Sequence, residues 1–220
     1  MANQQGGSDM LVKKVLTCFF ALAMMCATVS RAGVLTDPSG DAAPGIYFSY
    51  DLLGLSALPV GSDLVVTVPF VTGPLFPAAI PGPSSLLNEA LYGYVEFDTD
   101  QNPGTGSPSY ITSLLAVPTG LGVDYFLDFW MEGSNPGMVG VFNTTSGFVG
   151  LAPIVYGPTD VTITTPLAML GGDDGIVSAG SIIGDYNGPT DYVVPEPASV
   201  LLLGLGGVAV ALRARKSRKS

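Results

Sequence analysis

The chain has 220 residues, with 8 Lys+Arg, 18 Asp+Glu, no His and a formal net charge of −10. Every basic residue lies near an end (Lys13, Lys14, Arg31, then Arg213, Arg215, Lys216, Arg218, Lys219), while 17 of the 18 acidic residues lie between Ala32 and Arg213. An interval without His, Cys, Lys or Arg excludes Ser-His-Asp and Cys-His nucleophile pairs, His/Cys zinc sites, Schiff-base lysines and cationic phosphate clamps. It also excludes nucleic acid as a partner, because phosphate neutralisation needs cations. Carboxylate chemistry and hard-cation binding through oxygen remain.

Lys13 and Lys14 precede an apolar run from Val15 to Val29, followed by Ser30-Arg31-Ala32. A charged start, an apolar stretch and small residues at −3 and −1 predict a secretory signal helix over 1–32, removed by signal peptidase after Ala32. Met10 is an alternative start. Cys18 and Cys26 both fall inside this segment, so the mature chain has no disulfide.

Residues 33–194 form the predicted domain, acidic and extracytoplasmic. Gly and Pro make up about a quarter of it, a disorder-prone proportion, but its many aromatic and β-branched residues can bury enough apolar surface to fold. Short apolar segments recur between Gly/Pro breaks, without a long helical period. Strands are predicted at Ile46–Ala57 and Asp63–Val71, as a hairpin around Leu58–Ser62, and then at Leu91–Asp98. This last segment alternates Leu91, Gly93, Val95 and Phe97 against a polar-aromatic face of Tyr92, Tyr94, Glu96 and Asp98. Val123–Met131, Met138–Asn143, Phe148–Val155, Val161–Thr165 and Ile176–Ile183 follow, with a helical turn at Pro166–Leu170. The fold class is therefore all-β, an antiparallel β-sandwich of about eight strands. Thr72–Asn88, with four prolines, reads as a long crossover loop.

Within Phe97–Gly106, Asp98, Asp100 and Asn102 alternate before Pro103-Gly104. Such a loop can turn its oxygens inward toward Ca²⁺, which takes 6–8 of them, with Asp124 as the further carboxylate. It is not an EF-hand: Pro103 stands where that loop needs Gly, and Ser109 where it needs Glu. It resembles calcium-binding loops of extracellular bacterial β-sandwiches. The other reading is a solvated turn whose Asp and Asn make only Asx-type backbone bonds. Asp37/Asp41, Asp173/Asp174 and Asp185/Asp191 read as acidic turns.

Ala198–Leu212 is an uninterrupted apolar run of 15 residues, followed by the Arg213–Lys219 basic cluster. It predicts a short transmembrane helix with the cluster in the cytoplasm. Pro195-Glu196-Pro197 stands directly before it, and its prolines keep the backbone out of the helix. The triplet, short helix and basic tail in this order resemble the PEP-CTERM sorting signal of exported proteins in exopolysaccharide-producing Gram-negative bacteria. The resemblance assigns 195–220 to sorting and implies an exosortase-type processing enzyme. It also implies transient inner-membrane anchoring before release to the cell surface or matrix.

Three functions are consistent with these features. The first is an exported, non-enzymatic protein of the surface or of an exopolysaccharide biofilm matrix. The second is a carbohydrate-binding module that contacts extracellular polysaccharide, with Trp130 and outward tyrosines stacking on sugars, although Trp130 inside Phe129-Trp130-Met131 reads as core. The third is a carboxylate-only glycosidase, but no spacing selects a pair among Glu89, Glu96 and Glu132. The first is favoured, with no catalytic residue assigned.

Overall fold

The computed structural model describes residues 34–42, 50–71 and 91–195, all within one compact unit, Ala32–Pro195. The predicted signal helix, the Ala198–Leu212 helix and the Thr72–Asn88 loop lie outside the described residues. Among those described, no helix is long and apolar enough to cross a membrane.

Twelve strands are present among the described residues: β1 (Val34–Thr36), β2 (Gly54–Val60), β3 (Asp63–Pro69), β4 (Tyr92–Asp98), β5 (Ser107–Pro108), β6 (Gly122–Val123), β7 (Tyr125–Asp128), β8 (Met138–Asn143), β9 (Gly147–Tyr156), β10 (Asp160–Pro166), β11 (Ser178–Asp185) and β12 (Gly188–Val193). The all-β, antiparallel expectation holds. The two-sheet sandwich of about eight strands does not describe what forms. Ten strands make one hydrogen-bonded sheet in the order β1-β2-β3-β10-β9-β8-β7-β4-β11-β12, and β5 pairs with β6 separately. The reason lies in β9. Its 10 residues are long enough to pair with β8 from Gly147 to Pro153 and then with β10 from Ile154 to Tyr156. One strand therefore belongs to both halves, and the sheet curls through it without a break.

Period-two alternation supplies the core. Leu64, Val66 and Val68 of β3 face inward with Val161 and Ile163 of β10, Val139 and Val141 of β8, Leu127 of β7, and Val95 and Phe97 of β4, all fully buried. The sheet is nearly closed, and among the described residues side-chain hydrogen bonds bridge its seam. The Tyr50 N–H donates to Thr190 Oγ1 at 3.2 Å, and the Leu52 N–H donates to Asp191 Oδ2 at 2.8 Å, joining the segment before β2 to β12.

Several elements differ from expectation. Of the predicted strand Ile46–Ala57, residues 46–49 lie outside the described residues; Leu52 makes only an isolated bridge to Phe70, and β2 begins at Gly54. The β2–β3 hairpin is present but tighter, turning on Gly61-Ser62 with Gly61 at φ +64°. The predicted strand Val123–Met131 is split: β7 ends at Asp128, whose carboxylate accepts from the Trp130 N–H at 2.8 Å and caps a 3₁₀ turn over Phe129–Gly133. A helix, α1 (Tyr110–Leu115), forms where the sequence pattern gives none, and the expected helical turn forms at Leu167–Leu170.

Candidate functional site

The acidic loop after β4 is held by its own oxygens. Asp98, 1% exposed, accepts from the Asn102 N–H through Oδ1 at 3.0 Å and from the Gly122 N–H through Oδ2 at 3.1 Å. Asp100 accepts from the Asn102 N–H at 2.9 Å and from the Thr105 hydroxyl at 2.8 and 2.9 Å. Asp124 Oδ2 accepts from the Thr99 N–H and hydroxyl, both at 2.9 Å. The Asn102 Oδ1 turns to the Gly104 N–H at 3.1 Å. The Asx-type bonds of the turn reading are thus present.

Asp98, Asp100 and Asp124 nevertheless converge, with one carboxylate oxygen of each within 4.8 Å of the others. Oxygens sharing one Ca²⁺ at roughly 2.3–2.6 Å lie within about 5 Å of each other, so three carboxylates at this spacing fit one ion. Each oxygen has two lone pairs, and an accepted N–H does not exhaust it. Burial raises the Asp98 carboxyl above its usual range, outweighing the Gly122 and Asn102 N–H donors, and neighbouring Asp100 adds to the rise. The Thr105 hydroxyl, then the Asn102 N–H, hold Asp100 below its usual range. Asn102 is placed differently from the three carboxylates, since its side-chain oxygen serves its own loop.

A second acidic cluster spans the seam. Asp37, Asp41 and Asp191 also bring carboxylate oxygens within 4.8 Å, and Asp51 stands nearby, accepting from the Gly40 N–H at 2.7 Å. By sequence Asp37 and Asp41 belong to one acidic turn and Asp191 to another; the fold joins them across some 150 residues. Asp37 Oδ2 and Asp51 Oδ1 are buried and meet no hydrogen-bond donor among the described residues. Burial first, then the charges of Asp191, Asp41 and Asp51, push the Asp37 carboxyl up to about 7. Asp173, Asp174 and Asp185 do form Asx turns, accepting from the N–H groups of Gly175, Ile176 and Asn187.

The two described glutamates are built into the fold. Glu96, fully buried, accepts from the Ser109 hydroxyl and the Tyr110 N–H at the start of α1, both at 2.5 Å. Glu132, also fully buried, accepts from the Tyr156 hydroxyl. Glu89 lies outside the described residues.

Trp130 is not core. It is 42% exposed, and Phe129 beside it takes the buried position. The 3₁₀ turn is responsible, since it rotates successive side chains by about a third of a turn rather than half. Trp130 meets Tyr92 of β4 at a ring separation of 4.3 Å and Tyr186 of the β11–β12 turn at 6.0 Å. The polar-aromatic face of β4 was the sequence signal for Tyr92; Tyr186 had none.

Of the sorting triplet, Pro195 is described and buried, two residues beyond β12; Glu196 and Pro197 lie outside the described residues. No curated protein matches the chain. Residues 193–216 match the family model of the PEP-CTERM protein-sorting motif.

Proposed function

We propose, from the premise that residues 193–216 carry a PEP-CTERM protein-sorting motif, that the chain is a non-enzymatic protein of the cell surface or exopolysaccharide matrix. The motif marks an exported protein processed by an exosortase-type enzyme, and it is the observation that carries this reading. Two features support a binding or structural role over catalysis. The domain has no His, Cys, Lys or Arg, and both described glutamates are buried in structural hydrogen bonds. Fractionating cells and matrix tests the assignment: the acidic domain, freed of its basic tail, is expected with the surface or matrix polysaccharide. Its retention in the cytoplasm or as a soluble periplasmic protein would overturn it.

Calcium in the Asp98–Asp100–Asp124 loop is part of the proposal. Three carboxylates converge in a domain that has no cation of its own, and Ca²⁺ would tie β4 to the segment before β7. An ion that binds only the folded state stabilises it by mass action, by about 1.4 kcal/mol at ten times the dissociation constant. Thermal melts at fixed high monovalent salt are therefore expected to rise saturably with Ca²⁺, and Asp100→Asn is expected to lose most of that rise. An equal response from both proteins, or none from either, would leave the loop as a turn only.

A further inference from the structure

The residues that line the cleft around Trp130 lie outside both the sorting motif and the acidic loop. It measures about 260 Å³, and its lining includes Tyr92, Tyr94, Trp130, Tyr186 and Asn187. Tyr92, 6% exposed, is set deep, while Trp130 at 42% and Tyr186 at 53% stand out into solvent. Tyr92 meets Tyr186 at 5.9 Å, so the three rings contact one another in turn. Their planes are inclined to one another by 42° to 67°.

Local structure fixes each ring in place. Trp130 rides on the 3₁₀ turn that Asp128 caps, with Phe129 and Glu132 buried beneath it. Tyr186 sits in the two-residue turn between Asp185 and Gly188, just after a register shift between Ile183 and Gly184. Such irregularities re-aim side chains at the edge of a sheet. Asp185 Oδ1 accepts from the Asn187 N–H at 2.7 Å and from Asn187 Nδ2 at 3.3 Å, which stiffens the turn. Gly93 at φ +130° lets β4 approach β11, since a Cβ there would lie 2.1 Å from the Ile182 carbonyl oxygen. A cleft of rings already held in place loses little side-chain entropy on binding.

Charge and size narrow the ligand. With no Lys, Arg or His between Ala32 and Arg213, the cleft has nothing to neutralise a phosphate, sulfate or uronate. Pockets that enclose drug-sized ligands run to roughly 300–1,000 Å³, so this one takes a ring or two of a longer molecule lying across it. Aromatic faces are electron-rich and attract the slightly positive C–H groups of an apolar face. Neutral β-linked hexopyranoses offer such faces, because their hydroxyls lie mostly equatorial and their C–H bonds axial. Burial raises the Tyr94 hydroxyl to about 12, with Asp128 adding to the rise, so it remains a neutral hydrogen-bond donor. The Asn187 amide adds a second polar group to the lining.

We infer that the Tyr92–Trp130–Tyr186 cleft binds one or two units of a neutral β-linked hexose polysaccharide, with Trp130 as the main stacking platform. This goes beyond sorting and is independent of it, since binding is read on purified protein whatever route the chain takes in the cell. Trp130 is the chain's single tryptophan, so its fluorescence reports on the cleft directly. The test titrates the purified full chain, in a non-glycosidic detergent, with cellohexaose and laminarihexaose and, in parallel arms, with the polyanion alginate and the polycation chitosan.

Saturable change in Trp130 emission is expected with at least one neutral oligosaccharide, and none with alginate. Calorimetry should show affinity falling at least tenfold in Trp130→Ala and about three- to tenfold in Tyr186→Ala. Phe148→Ala, which alters a 53% exposed aromatic that does not line the cleft, should bind as the parent does. Both cleft residues are partly exposed and their backbone is held by other contacts. Both variants are therefore expected to keep a cooperative melt, with Trp130→Ala losing a few degrees through its contact with Tyr92. Binding of neither neutral oligosaccharide, preference for alginate or chitosan, or neutral-sugar binding that survives Trp130→Ala would overturn the assignment.

Discussion

Replacing Pro195-Glu196-Pro197 with alanines is expected to abolish C-terminal processing and leave the uncleaved chain in the inner membrane. The expectation rests on position as well as on the motif match over 193–216. β12 ends at Val193, itself 2% exposed, and Pro195 is buried. The triplet therefore follows the folded domain directly along the chain, and the processed product should retain the whole domain through β12. Because Pro195 is part of the packed domain, Pro195→Ala can also perturb the fold. Glu196→Ala with Pro197→Ala, which leaves Pro195 in place, separates the two effects. Fractionation and the intact mass of the C-terminus are the measurements. Unchanged export and unchanged mass in both variants would leave residues 195–220 as a plain anchor.

Between about pH 4 and pH 7.5 the domain is expected to lose stability as pH rises, the reverse of ordinary acid denaturation. The seam carries this effect. Asp37 ionises near its ordinary value of 3.8 when the chain is unfolded and at about 7 when folded. Between those values the native state holds a proton that the unfolded state has released, so the slope of stability against pH is negative. The contribution is complete below the unfolded value and fully lost above the folded one. The rise from 3.8 to about 7 corresponds to about 4 kcal/mol, which solvent screening of a partly exposed group reduces to roughly 2 kcal/mol.

Asp191, raised mainly by burial and further by Asp41 and Asp51, and Asp128, raised by burial, act in the same direction. At 2–4 °C per kcal/mol for a chain of this size, the melting temperature should fall by more than about 4 °C. Asp37→Asn removes the titrating group while keeping its shape and should flatten much of the slope, raising the melting temperature most at pH 8. A melting temperature that is level or rises from pH 4.5 to 7.5, or a slope unchanged in Asp37→Asn, would show that the seam accommodates its charges without strain.

The sequence by itself determined whatever depends on neighbours along the chain. The polar-aromatic alternation of β4, the β2–β3 hairpin and the helical turn at Leu167–Leu170 could be read from residues only a few places apart. The sorting motif is contiguous and needs no folding to be recognised. The absence of cations between Ala32 and Arg213 excludes whole classes of chemistry whatever the fold.

The tertiary structure decided what depends on meetings between distant segments. No local pattern told that β9 would bind β8 and β10 along one strand, because a ladder partner is chosen by the whole sheet. The seam cluster unites Asp37 with Asp191, and a turn reading of each was locally sound. Trp130 looked like core because apolar residues flank it. A carboxylate at Asp128 capped the chain into a 3₁₀ turn there, and the change of period sent Phe129 inward and Trp130 out to meet Tyr92 and Tyr186. Composition and local pattern act over a few residues, whereas carboxylate clusters and aromatic clefts are made by topology.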